Sequence, residues 1–397
     1  MKYGLVMEGG AMRGMFTAGV TDVLMENGIE FDGAVGVSAG ACFGCNYKSN
    51  QPRRVIRYNT RFCKDKRYCS LKSLIKTGDI FGAEFCYHEI PEKLDIFDGK
   101  TFNNSPMEFY VVCTDVMTGK PIYHKLMKAT YKELEWMRAS ASMPMVSRIV
   151  EVDGRKMLDG GISDSIPLKF MEKIGYDKNI VILTQPRDFV KLPSRTAKTM
   201  NPVLKKYPRL ISAMKKRHHM YNAELNYVRN SEQEGKAFVI APPEKLPIGH
   251  IEHNPDVLRE VYRIGRNTAN KCLDDIINFM NLRYKLIPYI YTESYNYHKT
   301  GKGIVKPFYY DYPKILDDVQ YKNQYFFGQN LFVSPITNKK NIVIDRVMKK
   351  IFVPDGIWFN LLDGKQYNGA KYYTNFYRDE DYPVFVKAGS IIPMSYN

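Results

Sequence analysis

The run Gly36-Val37-Ser38-Ala39-Gly40 constrains this chain more than any other stretch, because it follows the apolar segment Gly33 to Val37 and leads into the small residues Ala41-Cys42-Phe43. A strand that turns abruptly into a helix at a serine needs glycine on both sides, since side chains at Gly36 and Gly40 would strike neighbouring backbone. The turn pushes the Ser38 hydroxyl into solvent and aims the positive end of the following helix at it. Such an elbow belongs to a sheet clad in helices. Strand-like runs at Tyr3 to Met7, Gly33 to Val37, Glu108 to Thr114 and Asn179 to Thr184 alternate with helical periods from Lys2 to about Pro186. This layout predicts an α/β domain with a mainly parallel sheet.

A G-x-S-x-G match alone is a weak signal, and two other segments give it context. Glu8-Gly9-Gly10-Ala11-Met12-Arg13-Gly14 follows the first strand, where glycines leave backbone N–H groups free to face a ligand. The amides of Gly9, Gly10, Ala11, Met12, Arg13 and Gly14, joined by that of Ala39, form a candidate oxyanion hole, and Arg13 adds positive charge. A phosphate-binding loop competes with this reading, but the segment lacks a Gly-Lys-Ser/Thr ending, and Ala11 breaks the full G-x-G-x-x-G. The other segment is Met157-Leu158-Asp159-Gly160-Gly161, an aspartate at the end of an apolar step. Taken alone, Asp-Gly-Gly reads as a hairpin end. With the other two segments, Asp159 becomes the candidate base for Ser38.

Across Lys2 to about Arg187, and more loosely to Phe279, these motifs resemble the bacterial patatin-like phospholipases. The runs Cys113-Thr114-Asp115-Val116-Met117-Thr118-Gly119 and Ala139-Ser140-Ala141-Ser142-Met143-Pro144 are similar to that family's as well. Ala11 departs from the family's usual glycine and is expected to be tolerated, because alanine keeps its N–H. The resemblance implies a three-layer α/β/α fold and a Ser38-Asp159 dyad with no histidine and no cofactor. It also implies fatty-acyl esters, phospholipids among them, as substrates. A free aspartate, with a pKa of about 3.9, is a poor base for a hydroxyl, so the dyad requires Asp159 to be desolvated. The rival is a histidine triad drawn from His218, His219, His250 or His253, all downstream of Asp159. Against it, the elbow follows only the second strand, and His218-His219 adjoins Lys215-Lys216-Arg217, which reads as a solvated basic face.

A net charge of +16 suits anionic partners without choosing among them. Peripheral contact with an anionic membrane fits it, through stretches such as Arg53-Arg54 with Arg57, Lys64-Asp65-Lys66-Arg67 and Lys205-Lys206, although charge runs are usually solvated faces. No nucleic-acid-reading module is recognisable. The chain has no window of about 18 uncharged apolar residues and no signal-peptide pattern at Met1 to Met7. Seven cysteines, an odd set, read as reduced thiols in a cytoplasmic protein. Cys42 and Cys45 read as small core residues, with no metal site implied by them or by Cys63, Cys69 and Cys86.

The texture changes twice more. Residues 188–281 read as a mostly helical appendage, with a strand-like run at Gly235 to Ile240, and residues 282–397 as an antiparallel β region. The last part, Leu282 to Met394, resembles the C-terminal portion of glycoside hydrolase family 31. The resemblance rests on Leu282-Arg283-Tyr284-Lys285-Leu286-Ile287-Pro288-Tyr289-Ile290-Tyr291-Thr292, on Phe327 to Pro335, on Val353 to Trp358 and on Pro383 to Pro393. That family's catalytic carboxylates lie on earlier barrel strands with no counterpart here, so the tail is expected to be inert as a glycosidase. It reads as a fusion remnant, with glycan binding or partner docking as alternatives. Without a barrel, Leu286, Ile287, Ile290 and Tyr291 lack cover, and weak order is expected. Besides an acyl hydrolase at 1–187, two readings stay open: an inactive lipid-binding fold, and a carbohydrate-related protein whose function lies in the tail.

Overall fold

A computed structural model describes residues 2–193, 204–315, 321–338, 346–377, 381 and 383–394, without the side chains of 278–285 and 315. In chain order the first strands are β1 (Tyr3–Met7), β2 (Gly33–Val37), β3 (Glu108–Asp115), β4 (Pro121–Lys125), β5 (Val150–Val152), β6 (Arg155–Asp159), β7 (Lys178–Ile182) and β8 (Ala237–Ile240). They form one sheet in the order β5-β6-β3-β2-β1-β7-β8, with β4 also on β3. The pairs from β3 through β8 along this path are parallel, while β4, β5 and β6 pair antiparallel. Every residue of β1 and β2 is buried, as expected for strands covered on both faces.

The helices over and beside this sheet are α1 (Gly14–Glu26), α2 (Ala39–Lys48), α3 (Arg54–Phe62), α4 (Leu71–Thr77), α5 (Gly99–Asn104), α6 (Tyr131–Ser140), α7 (Leu168–Lys173), α8 (Pro208–Gln233) and α9 (Pro255–Lys271). Alternation along β1 separates two layers. Val6 packs with Leu168 and Met171 of α7 and with Tyr221, Leu225 and Val228 of α8. On the opposite face, Met7 sits so close to α2 that a Cβ on Gly44 would lie 2.4 Å from its Cε and Sδ. The chain is therefore α/β with a mixed, mostly parallel sheet between helical layers.

The chain falls into two units, Met1–Leu273 and Asp274–Asn397. Residues up to 273 are part of the first unit because β8 extends the sheet beside β7 and α9 lies along α1. The helices α1 and α9 touch backbone to backbone: a Cβ on Gly19 would lie 2.1 Å from Tyr262 O, and one on Gly265 2.1 Å from Phe16 O. Tyr262 also donates to Asp22 Oδ2 at 2.6 Å. The inward stripe of α8, at spacings of three and four, carries Leu210, Met214, Arg217, Tyr221, Glu224 and Val228. Glu224 Oε2 accepts the N–H groups of Ser165 and Ile166, each at 3.1 Å. Burial and the neighbouring Asp164 push its carboxyl up to about 9.

The second unit contains α10 (Leu273–Thr300) from its second residue on and the short strands β9 (Val305–Pro307), β10 (Tyr325–Phe327), β11 (Leu331–Val333), β12 (Val347–Val353), β13 (Ile357–Asn360), β14 (Gln366–Asn368), β15 (Lys371–Tyr377) and β16 (Val384–Lys387). Its sheets, β14-β13-β16-β11-β10-β9 and β12-β15, are antiparallel throughout. Contrary to the weak order expected, this unit has its own aromatic core, in which Phe308, Phe332 and Phe385 are fully buried and Trp358 nearly so. Leu286 and Ile290 are covered by Leu331, Val384 and Val386, whereas Ile287 and Tyr291 stay 45% and 76% exposed. The quoted side chains Leu282 to Lys285 lie outside the described residues.

Two stability tests follow from the packing of the first unit. Gly19→Ala gains about 1 kcal/mol of helix propensity, but its methyl group meets backbone that has little room to move, so a net loss of about 1–3 kcal/mol is expected in urea unfolding. An equal or higher stability would mean that α1 and α9 have room to spare. For Glu224, the folded value of about 9 lies above the ordinary 4.5, so between these limits the folded chain holds a proton that the unfolded chain releases. Stability attached to this group therefore falls as pH rises through that window. Glu224→Gln, which still accepts from Ser165 and Ile166, should gain on the wild type between pH 5 and 9, and a constant difference would contradict the assigned protonation.

Candidate active site

Ser38 stands between β2 and α2 at φ 54°, ψ −121°, a backbone conformation that a residue with a side chain keeps only when its surroundings enforce it. The enforcement is visible on both sides. A Cβ on Gly36 would lie 2.4 Å from Gly40 O, and one on Gly40 2.4 Å from Met7 O. The Ser38 N–H donates to Ser140 Oγ at 3.0 Å, and that hydroxyl donates to Val112 O at 2.6 Å, so the turn is tied to β3. Ser140 belongs to the Ala-Ser-Ala-Ser run.

Asp159 ends β6, where antiparallel pairing sets it opposite Cys113. The next residue packs so tightly that a Cβ on Gly160 would lie 2.1 Å from Val112 O. Ser38 Oγ donates to Asp159 Oδ2 at 2.7 Å, and Oδ1 accepts from Gly161 N–H at 2.8 Å. Thr114 Oγ1 donates to the Asp159 carbonyl at 2.8 Å. Burial raises the Asp159 carboxyl above its ordinary range, opposed by the Ser38 hydrogen bond, the Arg217 charge and the Gly161 amide. Contrary to the expectation that the turn pushes its hydroxyl into solvent, Ser38 is itself buried, and the result is a desolvated carboxylate in direct contact with the elbow serine, able to take a hydroxyl proton.

The glycine loop lies against this pair. Gly9, Gly10 and Ala11 line a cavity with Ser38 and Asp159, and Ala11, Met12 and Ala39 border a neighbouring cavity with Ser38. The amides of Arg13 and Gly14 are already engaged: Arg13 N–H donates to Gly10 O, and Gly14 N–H to the carbonyls of Ala11 and Met12. The donor candidates are thereby narrowed to Gly9, Gly10, Ala11, Met12 and Ala39. Ala11 holds φ 49°, the left-handed region where the resemblance has glycine. Alanine accepts that conformation at a cost of about 1 kcal/mol.

The histidines stand apart from the dyad bond. His253 Nδ1 meets Cys63 O at 2.7 Å, and the rings of His218 and His219 lie 3.9 Å apart against each other. His250 lines the cavity of Ser38 and Asp159, but the serine reaches the carboxylate directly. Arg217 corrects the reading of Lys215-Lys216-Arg217 as a wholly solvated run. Its two lysine neighbours are exposed, while Arg217 turns inward and its Nε donates to Gly161 O at 2.5 Å. Tyr221, one turn on, donates to Glu8 Oε1 at 2.6 Å, and Glu8 Oε2 accepts Thr184 N–H at 2.6 Å. The sequence reading placed Arg217 on a solvated face and did not single out Tyr221, although both lie on the inward stripe of α8.

The two cavities differ in character. One, of about 120 Å³, is lined by Phe43, Tyr58, Phe81, Ile90, Leu134 and Met137 among others. The other, of about 230 Å³, has Arg13, Arg217 and His250 in its wall. Cys42 and Cys45 border the apolar cavity, and burial pushes both thiols up to about 12, which keeps them protonated and poorly reactive. Of the basic stretches, Arg54 and Arg57 both meet the Asp95 carboxylate, at 3.2 Å and 2.7 Å, and Arg67 pairs with Asp65 and Glu89. Those arginines are held by their own acids. No helix among the described residues is long and apolar enough to cross a membrane.

Three segments of the chain match known families. Residues 5–171 match the family described as Patatin-like phospholipase, residues 207–281 a domain of unknown function (DUF6363), and residues 301–392 the Glycosyl hydrolase family 31 C-terminal domain. An isomaltosyltransferase from Sporosarcina globispora is 33% identical over 34% of this chain but only 12% of its own length. An uncharacterized protein of Escherichia coli, YjjU, is 28% identical over 66% of this chain and 74% of its own. Among solved structures, a cycloalternan-degrading enzyme from Trueperella pyogenes aligns with a TM-score of 0.23 and 18% identity, over 38% of this chain and 19% of that one. The chain is thus similar to patatin-like phospholipases over residues 5–171 and to the glycoside hydrolase family 31 C-terminal domain over residues 301–392.

Proposed function

We propose that the first unit is a lipid acyl hydrolase of the phospholipase A, lysophospholipase or esterase type, working through a Ser38-Asp159 dyad. The observation that carries this reading is the 2.7 Å hydrogen bond from Ser38 Oγ to the buried Asp159 carboxylate, beside an apolar cavity. The acyl chain occupies that cavity, which places the ester carbonyl at Ser38. As Ser38 Oγ attacks the carbonyl carbon, its proton passes to Asp159 Oδ2, and the carbonyl oxygen becomes an oxyanion. Amides of the Gly9 to Met12 stretch and of Ala39 stabilise that charge, each such donor being worth roughly 3–4 kcal/mol. Asp159 then returns the proton to the leaving alkoxide. Water attacks the acyl-enzyme, gives its proton to Asp159, and releases the fatty acid as Ser38 is reprotonated. The membrane contact this chemistry calls for is peripheral.

Hydrolysis of short and long p-nitrophenyl esters tests the reading, with a p-nitrophenyl α-glucoside as control. Ser38→Ala and Asp159→Asn should each lower kcat by about 10³-fold or more. Ester turnover that survives Ser38→Ala would remove the assigned nucleophile, and glucoside turnover alone would move the function to the tail. The pH profile adds a second check. Asp159 must be ionised to accept the proton, so activity rises with pH through its raised carboxyl range. The Arg217 charge holds that value down, so Arg217→Gln should shift the acid limb to higher pH. An unmoved or lowered limb would show that another group sets it.

A further inference from the structure

The cavity on the polar side of Ser38 is cationic in a way the dyad chemistry does not require. Arg13 enters its wall from the glycine loop, Arg217 from α8 and His250 from the loop after β8. The Arg13 Nε is buried and has no hydrogen-bond partner among the described residues. Lys191 stands close behind, its ammonium 4.6 Å from the Tyr221 ring. Burial and the charges of Arg217 and Arg13 hold Lys191 down to about 8, against the opposing pull of Glu8. His250 is exposed by area, yet desolvation and the charges of Arg13, Arg217 and Lys191 keep its ring below the ordinary histidine range. These groups repel one another; Glu8 acts against that repulsion on Arg13 and Lys191, and Asp159 interacts with Arg217, but neither carboxylate forms a direct ion pair with them among the described residues. Glu8 spends one oxygen on Thr184 N–H and the other on Tyr221, and Asp159 is engaged with Ser38 and Gly161.

Ser38 borders both cavities, so an ester whose acyl chain fills the apolar one presents its alcohol half to the cationic one. We infer that this second cavity seats a phosphate on the alcohol half of the substrate, selecting phosphoglycerides with a net negative headgroup over zwitterionic ones. The inference rests on the acyl-hydrolase reading and names its substrate class. Guanidinium groups match phosphate oxygens in geometry and charge. A choline group, by contrast, needs aromatic faces, and among the described residues no Phe, Tyr or Trp lines this cavity. Arg217 and His250 lie beyond residues 5–171 and inside 207–281, so the segment of unassigned function supplies the selectivity.

The test compares kcat/KM on lysophosphatidic acid and lysophosphatidylcholine of the same acyl chain, in micelles of a neutral detergent that keep surface charge equal. The full-length chain should favour the anionic lipid by about 10-fold or more, mostly through KM. Arg217→Gln and Lys191→Met should each cut that ratio several-fold, and a loss common to both lipids cancels within it. A wild-type ratio near one, or a ratio that neither variant changes, overturns the inference. Inorganic phosphate and glycerol 3-phosphate, tried as inhibitors of p-nitrophenyl butyrate hydrolysis, separate the two sources of phosphate. Inhibition by glycerol 3-phosphate alongside lipid selectivity supports a headgroup seat, whereas inhibition by inorganic phosphate without lipid selectivity leaves only a free-anion site and sinks it. If no ester is turned over, the hydrolase reading fails separately. Calorimetric binding of glycerol 3-phosphate that weakens in Arg217→Gln would then still support the phosphate seat, and no binding would overturn it.

Discussion

Ser38 has φ 54°, ψ −121°, and close contacts from β1, β3 and β6 hold it there. The conformation places a hydroxyl at the end of β2 with no room for side chains at Gly36 or Gly40, and it depends on β1, whose Met7 carbonyl closes the space beside Gly40. Strain of this kind persists only where many contacts over-determine it. Here they are the β1–β2–β3 register, the Ser140 bridge to Val112 and the Ser38 bond to Asp159. Antiparallel β6 supplies the last of these by ending at Asp159 opposite Cys113, where an all-parallel sheet would carry the chain away.

The electrostatics of the pair is a balance between burial, which raises the Asp159 carboxyl, and the Ser38 hydrogen bond, the Arg217 charge and the Gly161 amide, which oppose that rise. Arg217 does this from α8, which also reaches the strand ends through Tyr221 on Glu8 and Glu224 on the Ser165 and Ile166 amides. These contacts span the glycine loop, the Asp-Gly-Gly turn and the residues that follow it. The helix therefore acts as part of the site's wall, which is why the chain does not divide at residue 187.

Much of this was legible in the sequence, because the constraints that produce it are local. Gly36 and Gly40 mark the elbow, the apolar runs mark β1, β2, β3 and β7, and Asp159-Gly160-Gly161 marks a turn in which Gly160 leaves room for the Val112 carbonyl. The paired placement of Ser38 and Asp159 came from a resemblance and from no spacing in the chain, since 121 residues separate them. The run Gly235 to Ile240 read as a strand, but not as the parallel neighbour of β7, because pairing partners leave no local trace. Arg217 was hidden by Lys215 and Lys216: composition groups the three together, and only the three-and-four spacing with Leu210, Met214 and Tyr221 turns it inward. The tail's core was hidden for a similar reason: Phe308, Phe332, Trp358 and Phe385 come from separate segments, and no local pattern shows that they bury one another.

The proposed chemistry requires Ser38 to be a nucleophile activated by Asp159. Treating the full-length protein with a long-chain alkyl fluorophosphonate, which loses fluoride on attack by an activated serine, reads this without assuming a natural substrate. Intact mass followed by peptide mapping should show one adduct, on the peptide that holds Ser38, formed far more slowly in folded Asp159→Asn. No adduct, an adduct on another residue, or labelling indifferent to Asp159 would contradict the dyad.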